Sequence, residues 1–166
     1  MSCRGVFFAI TQAQRDRLVG LATDSERLDF VQMEISEAWD EAHLLQTDKA
    51  WDAIHRCLTD GTLSTAHSQN SLSRLILGGK QLYAGDEYII NLIDLDELGA
   101  LSNALADVDE EWFLARYDVV LKDSDYGAYP ISTHDRAYTW EYFSGIPSFV
   151  ARAAAERRAV IFTVDQ

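Results

Sequence analysis

The densest grouping of chemistry-bearing side chains is Trp51-Asp52-Ala53-Ile54-His55, with Asp48 before it and Thr59 after it. On a helix, Asp48 and Asp52 are four residues apart, as are Trp51 and His55, and Asp52 and His55 are three apart. Such spacings bring side chains to one side of the helix. A carboxylate beside an imidazole can raise its pKa or fix its tautomer, as a general base requires. The same spacing also describes a buried histidine held by a hydrogen bond beside a core tryptophan, with Asp48 capping the helix. This structural reading is taken first. Trp51, Ile54, His55 and Leu58 recur at three- and four-residue steps and share one inward stripe. Trp51 is therefore expected to be buried, and His55 to bond to Asp52 or to a nearby backbone carbonyl. Trp51, Asp52, His55, Thr59 and Tyr129 are the candidates for contact with a ligand or partner, and no catalytic residue is assigned.

Other groupings suggest less. His43, His67 and His134 have no metal-ligand spacing, and Cys3 and Cys57 form neither a disulfide framework nor a metal pattern. Asp94, Asp96 and Glu97, and the run from Asp107 to Glu111, lack the alternating oxygens and central glycine of a calcium loop. They read as helix-opening charge and exposed surface. No dinucleotide fingerprint, P-loop, nucleophile elbow or zinc-protease motif is present. Neither a metal nor a cofactor is expected. Tyr126, Tyr129, Tyr138, Trp140, Tyr142 and Phe143 make an aromatic-rich segment that fits packing of the last helical region, or a groove.

The elements that must position these residues follow from pattern. Arg4 to Ile10 and Tyr88 to Ile93 are β-rich runs, and Ala159 to Val164 is a third. Helices are expected from Thr11 to about Ala22, after Ser25, from about Asp48 to Leu58, from Ser71 to Leu77, from Asp96 to Ala106 and from Asp109 to Val119. In the second, Leu28, Val31, Ile35, Ala38 and Ala42 give the period. A last helical stretch, Asp135 to Arg158, is broken near Gly145 and Pro147. The reading is a single α+β domain over residues 1–166, with a small sheet that includes the N-terminal and C-terminal strands and is covered by several helices.

Charge narrows the function classes. The net charge is −13 over 166 residues, and residues 84–141 hold 14 acidic against 3 basic residues. That surface repels phosphate backbones, so nucleic-acid binding is not expected. No apolar run approaches the ~18 residues of a membrane helix. The short apolar stretch from Val6 to Ile10 does not make a signal peptide, and two free thiols suit a reducing compartment; a cytoplasmic location is expected.

A resemblance runs through several of these segments. Gly5-Val6-Phe7-Phe8 at the start, Asp48-Lys49-Ala50-Trp51 leading to His55 and Leu58-Thr59, then Leu77-Gly78-Gly79, Tyr129-Pro130 and the block from Phe149 to Val164 occur in the order and spacing of one family. The chain resembles the YfbM-like family of small bacterial proteins, a domain of unknown function. Three positions depart from that pattern. Asp60 separates Thr59 from Gly61, Val150 stands where the family usually has Tyr, and Arg157 where it usually has Gly. The resemblance implies an α+β fold and a bacterial cytoplasmic protein, and supplies no catalytic residues.

Two functions fit these residues. The first is an acidic protein-interaction domain for a basic protein, such as an immunity-type factor for a basic toxin. The alternative is a small enzyme or ligand-binding domain with its site near the Trp51–His55 helix.

Overall fold

In the N-terminal segment Gly5-Val6-Phe7-Phe8-Ala9-Ile10, β-branched and aromatic side chains favour an extended chain, and the computed structural model forms strand β1 there, Gly5–Ile10. The structure describes residues 3–65, 70–122, 124–126 and 131–165. The further elements are α1 (Gln12–Gly20), α2 (Asp24–Phe30), β2 (Leu44–Asp48), α3 (Trp51–Leu58), β3 (Lys80–Gln81), β4 (Tyr88–Ile93), α4 (Leu95–Ala106), α5 (Glu110–Val120), α6 (Thr133–Ser144), α7 (Ile146–Ala155) and β5 (Ala159–Asp165). A π-helical turn, Val31–Ser36, continues α2, and a 3-10 turn covers Ser71–Arg74.

The five strands form one antiparallel sheet in the order β2-β1-β5-β4-β3. The N-terminal and C-terminal strands pair along their length, Gly5 opposite Val164 and Ile10 opposite Ala159, so they make the centre of the sheet. Alternation of side chains across a strand sends residues to two faces. Phe7, Ala9, Val160, Phe162 and Val164 pack with the inner sides of α3 to α7. Phe8, Ile10, Ile90, Leu92 and Ile161 pack with Leu18 of α1, Phe30 of α2, and Val31 and Ile35 of the π-helical turn. The fold is thus α+β, with an antiparallel sheet between two helical layers. No helix among the described residues is long and apolar enough to cross a membrane.

The helix boundaries have local causes. Thr11, Thr23 and Asp94 each close a capping box with the Gln or Glu three residues on. Asp109 accepts from the backbone N–H of Trp112 at 2.8 Å and opens α5. Pro147 stands in the first turn of α7, where its missing N–H costs no intrahelical bond. At the end of α7 the Arg158 N–H donates to Ala153 O at 2.9 Å and the Arg157 N–H to Ala154 O at 3.1 Å. This terminus puts Arg157 in the left-handed region, with φ 56°.

Several expected elements differ. The helix expected from Asp48 begins at Trp51, because Leu44–Asp48 pairs with β1 as an edge strand. Asp48 ends that strand with φ 46°, and no side chain caps α3. The periodic run after Ser25 stops at Ser36, so Ala38 and Ala42 lie in the turns that lead to β2. Ser71 to Leu77 shortens to a 3-10 turn, and β3 is a two-residue strand.

Candidate functional site

Helix α3 lies between the sheet and α5 and buries nearly its whole surface. Trp51 packs 6.2 Å from the ring of Phe162, and its Nε1–H donates to Cys3 O at 2.9 Å. Ile54 and Leu58 share the same core. His55 is 2% exposed and faces that interior rather than a cleft. Its Nε2 lies 3.0 Å from Ser64 O; a carbonyl accepts, so Nε2 carries the proton. Burial lowers the pKa of His55 more than the Ser64 bond raises it, and the ring is held neutral.

Asp52 does not serve the imidazole. Its Oδ1 accepts from Arg56 Nε at 2.5 Å, one helical turn on. Arg56 is 3% exposed, and its Nη1 donates to Gly61 O at 3.0 Å and to Asp125 Oδ1. Burial opposes the charge of Arg56, but the Asp52 and Asp125 carboxylates outweigh it and raise its pKa. Arg56 in turn holds Asp125 below the usual carboxylate range. Gly61 has φ 96°, and a Cβ there would meet Val120 Cγ1 at 2.7 Å, so only glycine brings that carbonyl to Arg56. Asp60 shapes the same turn by accepting from Thr62 N at 3.0 Å and Thr62 Oγ1 at 2.7 Å.

Thr59 closes the end of α3, its Oγ1 donating to His55 O at 2.8 Å. The carbonyls of Cys57 and Thr59 accept from the Arg116 guanidinium of α5. Cys57 is buried beneath, and burial pushes its thiol up to about 12, which makes it a poor nucleophile. Tyr129 lies outside the described residues, as does His67. His43 is turned to two carboxylates, with Nδ1 2.7 Å from Asp40 and Nε2 3.1 Å from Glu156. His134 is exposed. Among the described residues no group of three His, Cys, Asp or Glu side chains could hold a metal ion.

Trp51, Asp52, His55 and Thr59 thus share one helix but do not converge on an opening. Each is bonded to the protein itself, an arrangement that joins α3 to its exit turn and to α5. The aromatic segment is divided likewise. Phe143 stacks on Phe113 at 4.3 Å, Tyr138 donates to Asp48 at 3.0 Å, and the hydroxyls of Tyr126 and Tyr117 both donate to Asp135.

The sequence reading missed an opening beside these residues. A depression of about 640 Å³ lies between the exit turn of α3 and the end of α5, lined by Asp60 to Leu63, Val119, Val120, Ser124 and Asp125. Leu63 is 43% exposed and Val119 69%. Two exposed apolar side chains 56 residues apart carry no joint signal in the sequence. Arg56 was legible in principle, since Asp and Arg at i and i+4 form a favoured helical ion pair.

A search of curated proteins returns no match. Among solved structures the chain is similar to the protein of unknown function YfbM from Escherichia coli, with a TM-score of 0.69 and 19% identity, over 97% of this chain and 99% of that one. That likeness is one of fold. The family model described as "Domain of unknown function (DUF1877)" matches residues 1–163. The chain therefore belongs to the DUF1877 family, to which its strand-first, Trp51–His55-containing sequence had pointed.

Proposed function

We propose that the protein is an acidic protein-interaction domain whose partner is a basic protein; a basic toxin held by an immunity-type factor has this chemistry. The observation that carries the reading is the charge around the turn from α4 to α5. Residues 81–115 contain no Lys or Arg. Asp94 and Glu97, at the start of α4, are paired with Arg15 and Arg74. Asp107, Asp109, Glu110 and Glu111 are exposed; Arg136, which is paired with Asp118, also feels the charge of Glu110. Clustered exposed charge of one sign steers an oppositely charged partner and sets its orientation. The commitment of Trp51, Asp52 and His55 to internal bonds favours this reading over a catalytic site on α3.

The test is capture of partners from a lysate by the tagged wild-type chain and by a Glu110→Lys/Glu111→Lys variant. Partners with a strongly basic surface, retained by the wild type and lost by the variant, support the reading. Partners that are acidic, or that bind both proteins alike, overturn it.

A further inference from the structure

Helix α5 buries Phe113 and Tyr117 on its inner side. Its outer side is apolar too. Trp112 is 39% exposed and Val119 69%, and Ala115 between them is exposed. The steps of three and four residues place these side chains on one stripe. At 1.5 Å per residue the stripe runs about 10 Å, close to two helical turns. Arg116 lies on the same side and covers part of Trp112. Its guanidinium turns toward α3, donating to the Cys57 and Thr59 carbonyls, and lies 5.9 Å from the Trp112 ring. The Val119 end of the stripe opens into the 640 Å³ depression, where Leu63 faces it from the exit turn of α3.

The ionisable residues that line the depression, Asp60 and Asp125, are both acidic, with exposed Lys122 close by in the chain. Thr62 holds Asp60 below the usual carboxylate range, and Arg56 does the same for Asp125, whose side chain is 88% exposed. Asp52 and Asp125 share the single buried cation of Arg56, so one negative charge remains from that trio, and Asp60 adds a second.

Resting on the reading of an acidic interaction domain, we propose that the depression at Leu63 and Val119, with the exposed stripe through Ala115 and Trp112 that leads into it, docks a basic amphipathic helical segment of a partner protein. Its apolar side chains, at three- and four-residue spacing, lie on the stripe, and its Lys or Arg heads reach Asp60 and Asp125. Apolar anchors supply the affinity and flanking charge the orientation.

The probe is a synthetic 14-residue peptide of Leu and Lys with every Leu on one helical face. Its control is the same composition scrambled so that Leu shares no face. Binding is read by fluorescence anisotropy and by amide shifts in NMR spectra. The face-patterned peptide binds at least tenfold more tightly than the scrambled one and shifts amides of residues 60–63 and 112–120. Val119→Glu and, separately, Leu63→Glu weaken it at least tenfold, although each makes the protein more acidic. Both positions are exposed, so circular dichroism of either variant matches the wild type. Equal binding of the two peptides, or unchanged or tighter binding by the Glu variants, overturns the groove while leaving a salt-sensitive acidic surface intact. Failure of both peptides to bind at low salt overturns the interaction reading itself.

Discussion

Acidification should destabilise this protein through one buried ring. His55 is 2% exposed, and burial lowers its pKa in the folded chain. In the unfolded chain it returns to an ordinary histidine value near 6.5. Above that pH neither state holds the extra proton, and the stability contributed by the neutral buried ring is fully present. As pH falls below about 6.5, the unfolded chain takes up a proton that the folded chain refuses. Stability is then lost, by up to about 1.4 kcal/mol per pH unit, until the folded pKa is reached. Other groups titrate in the same interval, so the measured quantity is a difference. Urea unfolding of the wild type and of His55→Gln, whose amide can still donate to Ser64 O, is followed at pH 7.5, 6.5 and 5.5. The stability of the wild type relative to the variant should fall steadily from pH 7.5 to pH 5.5. A difference that stays constant with pH would refute the claim that His55 is buried and neutral.

Four further substitutions test the packing of α3 and the end of α7. Trp51→Ala removes a core ring and leaves Cys3 O without its donor, so it should cost roughly 3–5 kcal/mol, about 9–15 °C in Tm for a chain of this length. Arg56→Ala strips the partner from Asp52 and Gly61 O and should cost about 3–5 kcal/mol in chemical denaturation, whereas Asp125→Asn, at an 88% exposed side chain, should change the melt little. Arg157→Gly relieves the left-handed strain at the end of α7 and should stabilise by about 1 kcal/mol, close to 3 °C in a thermal melt; a lower Tm would show that the Arg157 side chain contributes more than its backbone conformation costs.

What could be read from the sequence was set by the range of the interactions involved. The central strands were legible because Gly5–Ile10 and Ala159–Asp165 are apolar, β-branched and too short for helices. The edge strand Leu44–Asp48 was not, because Leu-Leu-Gln-Thr-Asp has a weak alternation and is held in place by pairing with β1. The π-helical turn was hidden for another reason. It is closed by the bond from Glu37 N to Gln32 O, and over a single turn the apolar spacing barely distinguishes it from an α-helix. On α3, periodicity was enough to turn Trp51 and His55 inward. It could not choose between His55 and Arg56 as the partner of Asp52, since three and four residues are both neighbouring steps. The contact from Arg56 to Asp125 spans 69 residues, and only the folded chain brings it together. The left-handed backbone of Arg157, φ 56°, carried no signal in the helical periodicity.

The most direct test of the interaction reading is the association rate constant of a captured basic partner as a function of salt. Raising the salt from about 0.1 M to 1 M shortens the screening length from about 10 Å to 3 Å. Steering by the carboxylates of the α4–α5 turn then predicts that association slows at least tenfold while dissociation changes little. The Glu110→Lys/Glu111→Lys variant should start from the slower rate and lose most of the salt dependence. An association rate that is indifferent to salt in both proteins would contradict the acidic surface as the means by which this protein finds its partner.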